Sequence, residues 1–197
     1  MVFNARMRRA GVGKRHAEFI VNQFTTPEIR DVESDWWIKF QTEKNRLGTG
    51  ILDVLVGPRG RGKTMLASML IGCACWRDQE PVYTTAMDML RDIRSSFDAG
   101  DYGAKTDRRK KYDRAGLLVI DEFHRADKAT ATSDWSPRTL EAILDTRYRG
   151  AVDTVLITND SPEQFVKHCG TSVASRIKEC GRIIVLDGED FRLGGDA

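Results

Sequence analysis

The sequence predicts one α/β domain, built on a five-stranded, mostly parallel sheet with helices on both faces. Three observations predict it. From residue 51 onward, short β-rich apolar runs alternate with stretches of helical periodicity. One run, Leu117–Ile120, is apolar at every position, as expected of a strand covered on both faces. The first run passes through a glycine-rich turn straight into a helical stretch.

Taken in order, residues 1–50 read as an N-terminal approach segment that packs on the core, and residues 51–197 as the core itself. Trp36 and Trp37 are adjacent tryptophans ahead of the first strand and are assigned to packing in preference to base stacking. Ile51–Val56 is a buried strand stopped by Gly57 and Pro58. Lys63–Trp76 carries Leu66, Met69, Leu70 and Cys73 at helical spacing. Pro81–Thr84 is a second strand. Thr85 and Asp88 then form a capping box for a helix whose stripe is Met89, Leu90, Ile93 and Phe97. The polar segment from Asp98 to Arg114 reads as a loop or exposed excursion. After the third strand, Leu117–Ile120, residues Asp127 to Trp135 read as a loop, and Ser136 caps a helix with Pro137 at its first position. That helix buries Leu140, Ile143, Leu144 and Tyr148. Thr154–Ile157 is the fourth strand, Ser161–Gln164 a capping box with proline in the first turn, and Ile183–Leu186 the fifth strand.

Composition excludes several classes. The chain has 197 residues, 31 Lys+Arg against 29 Asp+Glu, and 41% hydrophobic residues. That is too apolar for a disordered chain and too balanced for a purely electrostatic nucleic-acid wrapper. The most apolar uncharged stretch, Met65–Trp76, falls short of the ~18 residues a membrane span needs, so no membrane partner is expected. Basic Arg6, Arg8 and Arg9 are not followed by an apolar signal region. Cys73, Cys75, Cys169 and Cys180 show no C-x-x-C spacing, which suits reduced thiols and a cytoplasmic location. His16, His124 and His168 are dispersed, without metal-ligand spacing.

The chemistry is concentrated in three places. Gly57, Pro58, Arg59, Gly60, Arg61, Gly62, Lys63 and Thr64 match the pattern G-x-x-x-x-G-K-[ST] in full, after a strand and before a helix. Such glycines let successive backbone N–H groups close around phosphate oxygens, and the helix N-terminus adds partial positive charge. Lys63 is placed for the β- and γ-phosphates of ATP, Thr64 for Mg2+, and Met65 completes the binding segment. The apolar strand 117–120 ends in Asp121 and Glu122. Asp121 is a ligand for Mg2+; Glu122 is either the group that polarises the attacking water or a surface carboxylate. Asn159, at the tip of the fourth strand, either holds the water or γ-phosphate or simply forms a turn.

With these motifs, the segments Arg147–Gly150, Val155–Asp160, Val173–Ile177 and Gly181–Arg192 resemble AAA+ ATPases of the DnaC/IstB type. These are helicase loaders, phage loaders and transposition ATPases. The stretch Arg8–His16 resembles the segment that precedes the ATPase core in the loaders and lies along the nucleotide base. The resemblance covers nearly the whole chain and implies a P-loop domain of AAA+ type without a C-terminal helical lid. It implies that Arg176 is an arginine finger reaching the ATP of a neighbouring subunit in a homo-oligomer, against the plainer reading of a surface arginine. It implies a second nucleotide sensor in Arg192, against a simple salt bridge. The basic run Lys105–Arg114 (Lys105, Arg108, Arg109, Lys110, Lys111) falls where the family has a helical element lining single-stranded DNA, with Tyr102 or Tyr112 available for stacking; the alternative is a solvated charged loop.

The partners so implied are further copies of the chain, single-stranded DNA and a replicative helicase. The loaders' N-terminal docking domain has no counterpart before Arg8, so docking is expected to use the first residues, another surface or a separate protein. Two alternatives remain at this stage. One is a duplex-DNA-binding regulator of the transposition-ATPase type. The other is a genome-packaging motor, whose relatives place glutamine where Asn159 stands.

Overall fold

The apolar runs become five strands, and every pairing among them is parallel. The structure, a computed structural model, describes residues 2–25, 34–98, 102–123, 135–188 and 190. Helices α1 (Val2–Arg9), α2 (Lys14–Thr25) and α3 (Asp35–Arg46) precede β1 (Leu52–Val56) and α4 (Lys63–Trp76). Then follow β2 (Val82–Thr85), α5 (Ala86–Asp98), α6 (Tyr102–Arg114), β3 (Leu117–Asp121) and α7 (Trp135–Arg149). The last described elements are β4 (Asp153–Ile157), α8 (Pro162–His168), α9 (Gly170–Cys180) and β5 (Ile183–Val185).

The strand order is β2-β3-β4-β1-β5. Leu55 is level with Ile157, and Ile120 with Leu156. The loops after β1 and β3 therefore emerge at the same edge of the sheet, on either side of β4. This is the crevice at strand carboxyl ends where α/β sheets bind ligands.

Alternation along the strands feeds two core layers. Leu117 and Val119 join Met7, Ile20, Phe40, Leu66 and Leu70 on one face. Leu118 and Ile120 join Met89, Ile93, Ile143, Phe165 and Ile177 on the other. Helix α4 exceeds the one-sided stripe expected of it. Ala67, Ile71, Ala74 and Cys75 are buried as fully as Leu66 and Leu70, because α1, α2 and α3 cover the face turned away from the sheet. Cys73 and Cys75 are core fillers, and burial pushes both thiols up. Trp36 and Trp37 are half-buried on the same layer, with Trp36 stacked 6.3 Å from Phe40.

The N-terminal segment also meets the sheet through its backbone. Tyr83 on edge strand β2 donates its N–H to the Ala10 carbonyl at 2.6 Å. At the next residue, Gly11, φ is +99° and a Cβ would stand 2.3 Å from the Tyr83 oxygen, so only glycine permits the approach.

The Ser161 capping box forms, Ser161 and Gln164 exchanging hydrogen bonds around Pro162. At Thr85 half of the expected box is seen: Oγ1 accepts the Asp88 amide at 3.0 Å, and it donates to the Asp88 carboxylate at 2.8 Å. Two expectations are corrected. The segment 98–114 is mostly helix α6, held by long-range polar contacts that no apolar stripe announces. Tyr112, only 2% exposed, donates to Asp92 Oδ2 at 2.7 Å, and Arg108 donates to Asp92 Oδ1 at 2.7 Å. Helix α7 begins at Trp135, so Pro137 lies within its first turn and not at its first position; N–H groups throughout that turn lack helical partners, and proline's missing donor costs nothing there. Residues 127–134, His124, Arg192 and the side chains of Phe97, Tyr102, Lys105 and Ser136 lie outside the described residues. No described helix is long and apolar enough to cross a membrane.

A polar scaffold ties the amino-terminal edge of the sheet. Arg147, 1% exposed, donates to Thr154 Oγ1 at 2.8 Å and to the carbonyls of Tyr112 and Asp153 at 2.7 and 2.5 Å. Burial lowers its pKa to about 10, still far above neutrality, so the guanidinium stays charged. The buried Asp153 carboxylate accepts the amides of Gly50 and Ile51 at 2.9 and 3.1 Å. Asp53 on β1 is bound by Arg46 and by the Arg182 amide, with buried Glu43 beside it. Burial first, then Glu43, lift the Asp53 carboxyl to about 7, with Arg46 opposing.

Replacing Arg147 with leucine orphans several buried acceptors at once. It should cost about 3 kcal/mol in a urea unfolding experiment. For Asp53 the folded pKa is raised, so the native state holds the extra proton between pH 4 and 7. Its contribution to stability is therefore full near pH 4, falls as pH rises and is gone above about 7. Urea midpoints measured across that range should show this slope flattened in Asp53→Asn.

Candidate functional site

The turn between β1 and α4 is shaped by glycines in the left-handed region. Gly57, Gly60 and Gly62 have φ of +136°, +82° and +76°. A Cβ on Gly57 would lie 2.1 Å from the Leu186 carbonyl oxygen, and one on Gly60 would lie 2.0 Å from Asp190 Oδ1. A side chain at Gly57 forces the loop away from Leu186, and one at Gly60 displaces Asp190 and strains the backbone at positive φ. Lys63, 6% exposed, donates from Nζ to the carbonyls of Gly57 and Pro58, both at 2.6 Å, and so braces the loop it follows. Trp36 Nε1 reaches the Gly62 carbonyl at 3.4 Å.

Across β4, the carboxylate of Asp121 is held from three sides. Thr64 Oγ1 donates to Oδ2 at 3.1 Å, the Tyr83 hydroxyl donates to the same oxygen, and the Glu122 amide donates to Oδ1 at 2.6 Å. Burial, and then the Asp121 charge, push the Tyr83 phenol well above its usual range, so it remains a donor. Glu122 has φ +54°, a left-handed conformation that costs a non-glycine residue about 1 kcal/mol. Thr158, buried at the end of β4, accepts the Asp160 amide at 3.2 Å and so shapes the turn that carries Asn159.

These pieces meet in one cleft of about 430 Å3, a size typical of small-molecule sites. Arg59, Gly60, Arg61, Gly62, Lys63, Thr64 and Met65 form one wall, Asp121, Glu122 and Asn159 another. His16, at the end of the stretch that the resemblance sets beside the nucleotide base, lines the cleft from α2. Sequence reasoning missed Tyr83, which orients Asp121 from the edge strand, and Asp190, which stands against Gly60.

The arrangement fits a magnesium-bound polyphosphate. Thr64 and Asp121 set two hard oxygen donors side by side at the start of a helix, and Mg2+ commonly takes one or two such protein ligands together with phosphate oxygens. Among the described residues no group of three or more His, Cys, Asp and Glu could hold a metal. Arg61, in the cleft wall, has a buried Nε–H with no acceptor among the described residues, a donor suited to an anion.

Other expected site residues lie elsewhere. Arg176, on α9, is outside this cleft. It donates to Asp145 Oδ1 at 2.5 Å and to Ser172, and its guanidinium stands 5.4 Å from the Tyr148 ring. The basic run divides along α6. Arg108 is tied to Asp92, and Arg109 to Asp113 and the Ala142 carbonyl, while Lys110 and Lys111 line a separate cleft. Buried Tyr112 offers no stacking surface, contrary to expectation, because its hydroxyl and ring anchor α6.

Residues 28–193 match the family model described as IstB-like ATP binding protein. No curated protein sequence is significantly similar to the chain. Among solved structures, the DnaC helicase loader matches with a TM-score of 0.69 and 20% identity over 89% of this chain and 100% of that one. DnaI matches with a TM-score of 0.63 and 18% identity over 83% and 88%. A replication initiator DnaA, solved with AMPPCP and single-stranded DNA, matches with a TM-score of 0.67 and 17% identity over 91% and 52%. The chain spans about half the length of the replication initiation proteins it matches. At these identities the likeness is one of fold.

Tyr83→Phe keeps the ring and removes one donor from Asp121. Titration of Mg2+ against nucleoside triphosphate turnover should then show a requirement raised roughly tenfold, as for other residues that orient a metal ligand. An unchanged curve would mean that Asp121 does not depend on Tyr83.

Proposed function

Since the chain belongs to the family of IstB-like ATP binding proteins, we propose that it is a Mg-ATP-hydrolysing AAA+ protein that assembles on single-stranded DNA and loads or remodels a replicative helicase. The observation that carries the ATPase reading is the cleft itself. It brings Lys63, Thr64, Asp121, Glu122 and Asn159 together at the carboxyl edge of the sheet. The loop amides from Gly57 to Thr64 and the Lys63 ammonium bind the β- and γ-phosphates. Thr64 and Asp121 would hold Mg2+, which when bound neutralises charge on the phosphate oxygens. Glu122 accepts the proton of the attacking water while Asn159 positions that water in line with the γ-phosphorus. The water oxygen bonds to the γ-phosphorus as the bond to the β-γ bridging oxygen breaks, and ADP and inorganic phosphate leave.

Arg176 completes the site from a neighbouring copy, its guanidinium offsetting charge that develops on the transferred phosphoryl group. The position outside its own cleft supports this role. The N-terminal segment lies along the nucleotide base, which the place of His16 in the cleft supports. Arg192 serves as a second sensor. The likeness to two loaders and to an initiator solved with single-stranded DNA supports the loader reading. The IstB-like family match favours a second reading, an ATP-dependent regulator on duplex DNA of the transposition type.

The test is the ATPase rate per subunit against protein concentration, with single-stranded, duplex or no DNA. A rate that rises with concentration and with single strands supports the loader; stimulation by duplex alone selects the regulator. Glu122→Gln should bind ATP and not turn it over. Arg176→Ala should behave likewise, and mixing the two inactive variants should restore part of the turnover. Two folded, inactive variants that fail to complement would place Arg176 outside a trans site.

A further inference from the structure

At the opposite edge of the sheet from the phosphate loop lies a second cleft of about 610 Å3. Its floor is the start of β2 and the approach to β3, at Pro81, Val82 and Ala115. Its walls are basic. Arg6 and Arg9 come from α1, three residues apart and hence on one face. Lys110, Lys111 and Arg114 come from the C-terminal end of α6. Glu80 is the one acid among the lining residues. Arg6 pairs with Asp78 at 2.7 Å, but Asp78 is 88% exposed and its charge is well screened. Arg9 and Arg114 make no ion pair among the described residues. Two helices thus aim like charges at one concavity, an arrangement that a polyanion stabilises.

Two further features narrow the anion. Trp76, at the end of α4 and next to the cleft-lining Cys75, is 72% exposed. Its ring is fixed by an edge contact with Phe3 of α1, 5.7 Å between centroids at 73°. A large indole held open to solvent beside a basic groove is a stacking platform. Within the cleft, Gln79 has a buried Oε1 with no donor among the described residues, an acceptor for an N–H that a simple phosphate cannot supply.

We propose that this cleft binds single-stranded nucleic acid, with phosphates along Arg6, Arg9, Lys110, Lys111 and Arg114, an unpaired base on Trp76, and a base N–H to Gln79. The proposal rests on the reading that the protein acts on nucleic acid, and it assigns the contact to a face remote from the ATP cleft. Paired bases are already stacked and cannot use Trp76, so a duplex would gain only from the charges.

The experiment is fluorescence anisotropy of a labelled oligothymidylate, and of a duplex of equal length, with the full chain at several salt concentrations, with and without ATP. Arg9→Ala combined with Arg114→Ala should weaken single-strand binding on the order of tenfold at 0.1 M salt and reduce the log–log salt slope by about 1.4, two phosphate contacts' worth. Trp76→Ala should weaken single-strand binding on the order of tenfold and leave duplex binding unchanged. Trp76→Ala and Arg114→Ala, which lie outside the nucleotide cleft, should keep wild-type ATPase rates without DNA. Wild-type affinity and slope in the double variant would overturn the site and leave the functional reading intact. Equal losses for single strands and duplex, with Trp76→Ala silent, would overturn the single-strand assignment. A wild-type protein that binds no single strand in either nucleotide state would overturn the functional reading and this proposal with it.

Discussion

Helix α4 begins at the phosphate loop and has almost no polar surface to offer water. Leu66, Leu70 and Ala74 meet the rest of the protein as closely as Ala67, Ile71 and Cys75 do. A helix that is apolar all round is stable only between two layers. The sheet supplies one, and α1, α2 and α3 supply the other. That requirement brings His16 into the nucleotide cleft and Trp36 to the Gly62 carbonyl. Helices α1, α2 and α3 are thus part of the ground on which the loop stands, and the site's geometry depends on their being in place.

The two edges of the sheet divide the work. At the carboxyl edge, backbone amides and a few side chains converge where phosphates would sit. At the amino edge, buried charges tie the elements together. Arg147 joins α6, α7 and β4, Asp153 joins β4 to the turn before β1, and Asp53 joins β1 to α3 and to the approach to β5. Such groups must be fully hydrogen-bonded to be tolerated in a core, and that makes their geometry unforgiving. They fix the relative height of β1, β3 and β4, and so the distance between the phosphate loop and Asp121.

Much of this was legible in the sequence. Gly57–Thr64, Asp121, Glu122 and the parallel sheet were readable because each follows from a local pattern: glycines before a helix, acids at the end of an apolar strand, strands alternating with helices. Helix α6 was not, because its anchors, Asp92 to Tyr112 and Arg108 and Arg147 to the Tyr112 carbonyl, join residues distant in sequence. For the same reason the basic run looked like one patch. Only the helical repeat separates Arg108 and Arg109, turned to neighbouring helices, from Lys110, Lys111 and Arg114 on the cleft. Tyr83 carried no warning: its role is set by the register that places Thr85 opposite Asp121, and register is a property of the assembled sheet.

The backbone link between Ala10 and Tyr83 has a practical consequence for anyone who shortens this chain. Strand β2 lies at the rim of the sheet, and the segment around Ala10 occupies its free hydrogen-bonding side. Trimming the protein to its apparent catalytic core would bare that rim and the outer flank of α4 together, an adhesive combination of open amides and aliphatic surface. Such a fragment would clump through strand addition. Its concentration-dependent behaviour would then counterfeit ordered assembly, so stoichiometry is best measured on a chain that keeps its first residues.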